Sequence, residues 1–191
     1  MPNYCENELR VSIPWFKEED KEIAAKEELQ KFKEFAKSGT ESEERVIDFN
    51  KFVPYPTNFE EQDAVSQKRE EERNKAIEEG MSREEAYKKY PCIKDGLNDG
   101  GYNWRIENWG TKWNSSDTEL VEETEDELNY EFRTAWSPPE PVVKKMGEMF
   151  PLLDFDLRYF EMGAAFNGIL RIEQGEVTQE EEGKYFGNRG G

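Results

Sequence analysis

Eight carboxylates, Asp117, Glu119, Glu122, Glu123, Glu125, Asp126, Glu127 and Glu131, fall between Lys112 and Arg133 with no base among them. Such a run can hold a divalent cation, imitate phosphates toward a basic protein, or simply keep a surface hydrated. An EF-hand loop needs oxygen ligands at fixed alternate positions and a central glycine. That spacing is absent, and no metal is expected. What remains is a solvated surface, which favours solubility without any partner, or a phosphate-mimicking patch. The affinity of such a patch comes from counterions released by a basic partner. A second concentration follows near the end, at Glu173, Glu176, Glu180, Glu181 and Glu182.

The other chemically suggestive group is aromatic. Tyr102, Trp104, Trp109 and Trp113 alternate with Asn103, Asn108, Lys112 and Asn114. Flat rings beside amides can stack a base or a sugar and hydrogen-bond its edge. The same residues can equally fill a helix-to-strand corner, with Asp99 capping a short helix and Gly110 ending it. A small-molecule or nucleotide pocket would centre on Trp104, Asn108, Trp109, Lys112, Trp113 and Glu161.

Nucleophilic and acid–base catalysis find little support. The chain has no histidine, which removes histidine triads, imidazole zinc sites and histidine proton relays. Cys5 and Cys92 form no CxxC pair, and strand alternation points Cys5 inward, where a thiol is inert. Removal of Met1 would expose the secondary amine of Pro2. The neighbouring Glu6 and Glu8 oppose the lowered basicity that such a catalyst needs. No catalytic residue and no cofactor are therefore expected, and a non-enzymatic role is the expectation.

Lys and Arg number 26 against 44 Asp and Glu, a formal charge of −18. Charged residues make up 37% of the chain, against about 25% in an ordinary domain. Aromatic residues at 13%, arriving in regular patterns, argue for a folded protein, since disordered chains lack them. Phosphate backbones and anionic lipids repel such a surface, so neither nucleic acid nor membrane is an expected partner, whereas a basic protein is. The N-terminus lacks a charged segment followed by an apolar one, and no stretch approaches about 18 apolar residues. A cytoplasmic protein is expected.

Periodicity supplies the elements that position these groups. Cys5, Leu9, Val11 and Ile13 alternate with Glu6, Glu8, Arg10 and Ser12 as in a half-buried strand. Lys17 to Lys37 carries a narrow helical stripe at Ala25, Leu29, Phe32 and Phe35/Ala36. Val46 to Val53 reads as a second strand. Residues 57–98 read as a polar helical insertion with a capping box at Ser82 and Glu85; having few large apolar side chains, it is expected to lean on the main core.

From Glu119 to Trp136 the pattern is a hairpin with one wet face. Ser137-Pro-Pro-Glu140 predicts a cap for a helix bearing Val142, Val143, Met146, Met149 and Phe150. Strands follow at Leu153 to Met162 and Gly168 to Glu173, and residues 174–191, acidic then glycine-rich, are expected to fray. The sum is one α+β domain over 1–191, an elaborated ferredoxin-like βαββαβ sandwich: an antiparallel sheet with helices on one face and a helical insertion.

Several blocks resemble the YubB-type ferredoxin-like domain family of plasmids and bacteriophages. They are Met1-Pro-Asn-Tyr-Cys-Glu-Asn7, Asn108-Trp-Gly-Thr-Lys-Trp-Asn114, Thr134-Ala-Trp-Ser-Pro-Pro139, Tyr159-Phe-Glu-Met-Gly163 and Phe166-Asn-Gly168. Tyr4 departs from that pattern, standing where the family carries tryptophan. The resemblance spans nearly the whole chain and implies a fold and a mobile-element setting in a bacterial cytoplasm. It implies no activity, so no catalytic residue is transferred from it. In that setting the basic partner would be a host defence or nucleic-acid-binding protein, inhibited by DNA mimicry.

Overall fold

A computed structural model describes residues 3–39, 44–91 and 101–184. The chain divides into two compact units, one made of residues 1–54 and 107–191, the other of residues 55–106.

In the first unit, β1 (Tyr4–Ser12) leads into α1 (Glu19–Ala36) and the one-turn helix α2 (Phe49–Phe52). In the second unit lie α3 (Thr57–Glu78) and α4 (Arg83–Lys89), and α5 (Gly101–Trp109) returns the chain to the first. There β2 (Ser116–Glu123), β3 (Glu127–Ala135), α6 (Glu140–Met149), β4 (Asp154–Glu161), β5 (Phe166–Glu173) and β6 (Glu176–Lys184) complete the chain. The strands form one antiparallel sheet in the order β2-β3-β1-β4-β5-β6. Four of them, β2-β3-β1-β4, with α1 and α6, make the split βαββαβ of a ferredoxin-like fold, and β5 and β6 extend it beyond β4.

One face of the sheet is dry. Cys5, Leu9 and Val11 of β1, Leu128, Tyr130 and Phe132 of β3, and Phe155, Leu157 and Tyr159 of β4 are buried. Against them α1 lays the stripe Ala25, Leu29, Phe32 and Ala36. Phe32 is the hub, its ring 5.2 Å from Phe150, 5.5 Å from Phe155 and 5.7 Å from Phe52 between centroids. Edge-to-face packing of this kind adds to the area term of each buried ring. The opposite residues of the same strands, Glu6, Glu8, Arg10, Asn129, Glu131 and Arg158, form the open face. Two periods, 2 in the strands and about 3.6 in the helix, thus meet in one core.

Three expectations are corrected. Val46 to Val53 is not a strand: Asp48 caps α2 by accepting from the Asn50 N–H at 2.9 Å, and Phe49 and Phe52, three apart, both point into the core. Ser137 does not cap α6, whose cap position is Pro139; the Ser137 hydroxyl instead donates to the Gly110 carbonyl at 2.5 Å. Residues 176–184 do not fray but pair with β5 along β6. Gln174 and Gly175 make that two-residue connection with φ of 50° and 85°, the positive pair that matches the twist of adjoining strands. Residues 185–191 lie outside the described residues, as do Pro2, Cys92 and Asp99.

The second unit has its own internal packing. Arg105 bonds Asp63 and stacks over the Tyr55 ring at 4.1 Å, while Trp104 meets Tyr55 edge-on at 5.4 Å. The buried Arg73 lies 4.4 Å over the Tyr87 ring, and Ser82 with Glu85 forms the complete capping box of α4. Cation–π and capping contacts thus supplement apolar area that is scarce in this segment.

Candidate functional site

Strand pairing sorts the carboxylate run between the two sides of the sheet. Glu123 reaches the α1 side, accepting from Lys33 at 2.7 Å, and Asp126 meets Lys26 at 3.5 Å. Arg10 donates to Glu127 at 2.6 Å, and Asp117 pairs with Arg133 at 3.2 Å. Four of the eight acids are therefore balanced by the chain's own bases. These pairs are exposed, and each contributes little to stability. Glu125 sits in the β2–β3 turn.

Glu119, Glu122 and Glu131 stand differently. In the register of the sheet Glu119 lies opposite Glu131, and Glu131 lies opposite Glu8 of β1. Three carboxylates thus stand in one row across three strands, and the row continues to Arg158 of β4, directly opposite Glu8; the like-charge pairs Glu119–Glu131 and Glu131–Glu8 work against stability. No Lys or Arg among the described residues pairs with Glu119 or Glu131. One row along, Glu122 accepts from Asn129 Nδ2 at 3.1 Å. Two shallow depressions flank the acidic row. One of about 310 Å³ is bounded by Glu8, Arg10, Glu122, Glu131 and Arg158, and one of about 210 Å³ by Glu6, Glu8, Asp117, Glu119, Glu131 and Arg133.

Glu6 and Glu8 were not among the candidates. Their signal was present in the alternation of β1, which puts them on the wet face, and in the split βαβ topology, which sets β1 beside β3.

The aromatic block separates into local networks. Trp104 belongs to the second unit, beside Tyr55. Trp109 is buried, donates its indole N–H to the Val53 carbonyl at 2.8 Å, and packs on Phe49 at 6.0 Å. Asn108, its neighbour in α5, lies in the same unit as Trp109. Gly110 has φ +77°, and a Cβ there would lie 2.6 Å from the Pro138 carbonyl oxygen, so glycine is required where α5 ends.

Beyond it Thr111 donates to the Ala135 carbonyl at 2.9 Å. Asn114 Oδ1 accepts from the Phe49 and Ser115 N–H groups, both at 2.9 Å, and its Nδ2 donates to Asp48 at 2.7 Å. Much of the Asn-Trp-Gly-Thr-Lys-Trp-Asn block therefore fastens α2 and the end of β3 to the sheet. Lys112 and Trp113 are its outward members, the Lys112 ammonium lying 4.5 Å from the Trp113 ring centroid.

Glu161 is buried in β4 and closes the turn after it, accepting from the Gly163 N–H at 2.9 Å and from the Ala164 N–H. Directly opposite in β1 is Cys5. Burial, with the Glu161 charge adding to it, pushes the Cys5 thiol up to about 12, so it stays a protonated thiol. Asn7, also buried, donates to the carbonyls of Cys5 and Phe132 and to the Thr134 hydroxyl. No group of three or more His, Cys, Asp or Glu able to hold a metal ion occurs among the described residues. Among them, too, no helix is long and apolar enough to cross a membrane.

Residues 108–186 match the family model described as the ferredoxin-like domain in Api92-like protein. Among solved structures, the crystal structure of a protein api92 from Yersinia pseudotuberculosis is similar over 98% of this chain and 99% of that one, at 9% identity and a TM-score of 0.46. No curated protein matches the sequence. The strand order and the family model agree on an α+β ferredoxin-like domain built on an antiparallel six-stranded sheet.

Proposed function

We propose that this chain is a non-enzymatic binding protein that engages a basic partner through the acidic part of its open sheet face. The observation that carries this reading is the row Glu119–Glu131–Glu8. Glu131 faces a carboxylate on each side, Glu119 and Glu8, an opposition that works against stability, and a cationic partner would turn that repulsion into attraction. The overall charge of −18 adds long-range steering, which raises association rates and falls with salt.

The resemblance to YubB-type proteins supports a phage or plasmid setting in a bacterial cytoplasm. A basic host defence or nucleic-acid-binding protein suits that setting, with carboxylates standing in for phosphates. Free nucleic acid and membrane are poor partners for the same electrostatic reason.

The test compares two variants of equal charge on opposite parts of the hairpin. One carries Glu119→Gln, Glu122→Gln and Glu131→Gln; the other carries Glu123→Gln, Glu125→Gln and Asp126→Asn. Each is immobilised beside the wild type, and a bacterial lysate stripped of nucleic acid is passed over it at low and high salt. A basic protein should be retained by the wild type and the second variant, lost by the first, and released by salt. A purified captured protein should then lose its own DNA to the wild-type chain. Equal retention by all three, or none, overturns the proposal.

A further inference from the structure

Lys112 shares two tryptophans. Its ammonium lies 4.5 Å from the centroid of Trp113 and 5.0 Å from that of Trp136. Both indoles are exposed, at 39% and 46% of their surface, and no carboxylate among the described residues pairs with Lys112. Trp136 has φ +72°, an uncommon conformation for a bulky residue, which persists only where the surroundings over-determine it.

Those surroundings are visible. The Trp136 N–H donates to the Asn3 carbonyl at 3.0 Å, the Thr134 hydroxyl to the Ser137 carbonyl at 2.7 Å, and the Ser137 hydroxyl to the Gly110 carbonyl. The backbone thus holds a strained residue so that a large aromatic ring meets solvent beside a second one.

We infer that Trp113 and Trp136 form a cation slot, filled by Lys112 in the free chain and taken by an arginine side chain of the partner. The slot accepts a cation, because one already occupies it. Charge complementarity with a chain of −18 favours a basic occupant over an anionic one. Arginine displaces lysine because its flat, weakly hydrated guanidinium stacks on indole better than a compact ammonium does. Tryptophan and arginine are also among the residue types enriched where binding energy concentrates at interfaces. The inference deepens the reading above and rests on it for the sign of the partner's charge.

The probe is a synthetic Arg-Gly-Gly repeat peptide, with an oligothymidylate as its anionic counterpart. Indole ring currents should shift the Lys112 side-chain methylene resonances upfield in the free protein; the peptide should return them to ordinary positions and alter tryptophan fluorescence. Emptying the slot with Lys112→Ala should tighten the peptide several-fold, and Trp113→Ala or Trp136→Gly should weaken it about tenfold. Glycine suits φ +72°, so the Trp136 variant keeps its fold.

Unmoved Lys112 resonances, or peptide affinity indifferent to both tryptophans, overturn the inference. So does an oligothymidylate that takes the slot and is weakened by Lys112→Ala, which would make it a nucleotide site. If peptide binding is lost only in the variant carrying Glu119→Gln, Glu122→Gln and Glu131→Gln, the slot falls and the acidic face stands. If only the slot variants matter, the face falls and the slot stands.

Discussion

Replacing Asn114 by alanine should remove about 3 kcal/mol from the stability of the sheet-bearing unit. The amide accepts from Phe49 and Ser115 and donates to Asp48, bridging the start of α2 to the strand that follows. Phe49 and Ser115 are buried, so alanine leaves two N–H groups without this acceptor, at about 1–3 kcal/mol each. Asp48, which also holds the Asn50 N–H, loses a charge-assisted donor. Low-end values apply, because the site is partly shielded and water can replace some bonds.

Urea denaturation followed by circular dichroism should show a midpoint lower by about 1–2 M. Asn114→Asp retains the acceptor but sets a carboxylate against Asp48, and should be at least as harmful. Adding Asp48→Asn to it should recover part of the loss, a coupling that a double-mutant cycle measures. An alanine variant within about 0.5 kcal/mol of wild type, or a double variant no better than the sum of its singles, would refute the claim that this block fastens α2.

Gly168→Ala should cost about 3 kcal/mol, read from thermal melts, because the new methyl would lie 2.2 Å from the Tyr159 ring and 2.6 Å from the Glu181 carbonyl oxygen. The Cys5 thiol, raised from an ordinary 9.0 to about 12, stays protonated in the folded state where the unfolded chain ionises. Its contribution is therefore complete below pH 9.0 and lost as pH rises toward about 12, by up to about 1.4 kcal/mol per pH unit. Cys5→Ala should remove that part of the slope in denaturation measured against pH, and an unchanged slope would refute the assignment. Neutralising the two sheet edges with Glu119→Gln, Glu122→Gln, Glu180→Gln and Glu182→Gln should raise self-association above that of the wild type, read by sedimentation at matched concentration. Sedimentation unchanged from the wild type would show that these charges do not guard the edges.

The sheet core was legible because β1, β3 and β4 alternate without interruption and α1 keeps its stripe at Ala25, Leu29 and Phe32. The short helix α2 was not. Val46, Ile47 and Val53 suggest extended chain, while the features that decide the matter are an Asp48 cap and a Phe49–Phe52 spacing, both of which need the core and Asn114 to take effect. β6 escaped notice because glutamates have weak strand preference; its pairing rests on backbone bonds to β5 and on the turn at Gln174-Gly175. The candidate site was half legible. Composition located the acids, but β2 is irregular between Ser116 and Glu119 and again between Leu120 and Glu122. Such bulges break the period-2 rule, so sequence parity cannot assign each carboxylate to a face.

Each of the two acid concentrations of the sequence takes in an edge strand, β2 or β6. Charge at an unpaired edge discourages another strand from docking there, which accounts for part of the −18 without any partner. Glu131 and Glu8 fall outside this account, because β3 and β1 are interior strands whose backbone groups are already paired on both sides. Their carboxylates protect no edge, and they face one another directly, with Arg158 of β4 on the other side of Glu8. The excess at the centre of the open face is thus the part of the charge that edge protection does not explain. It is also where neutralisation should change partner binding most, through the association rate and its salt dependence, whereas changes at Trp113 and Trp136 should act through dissociation.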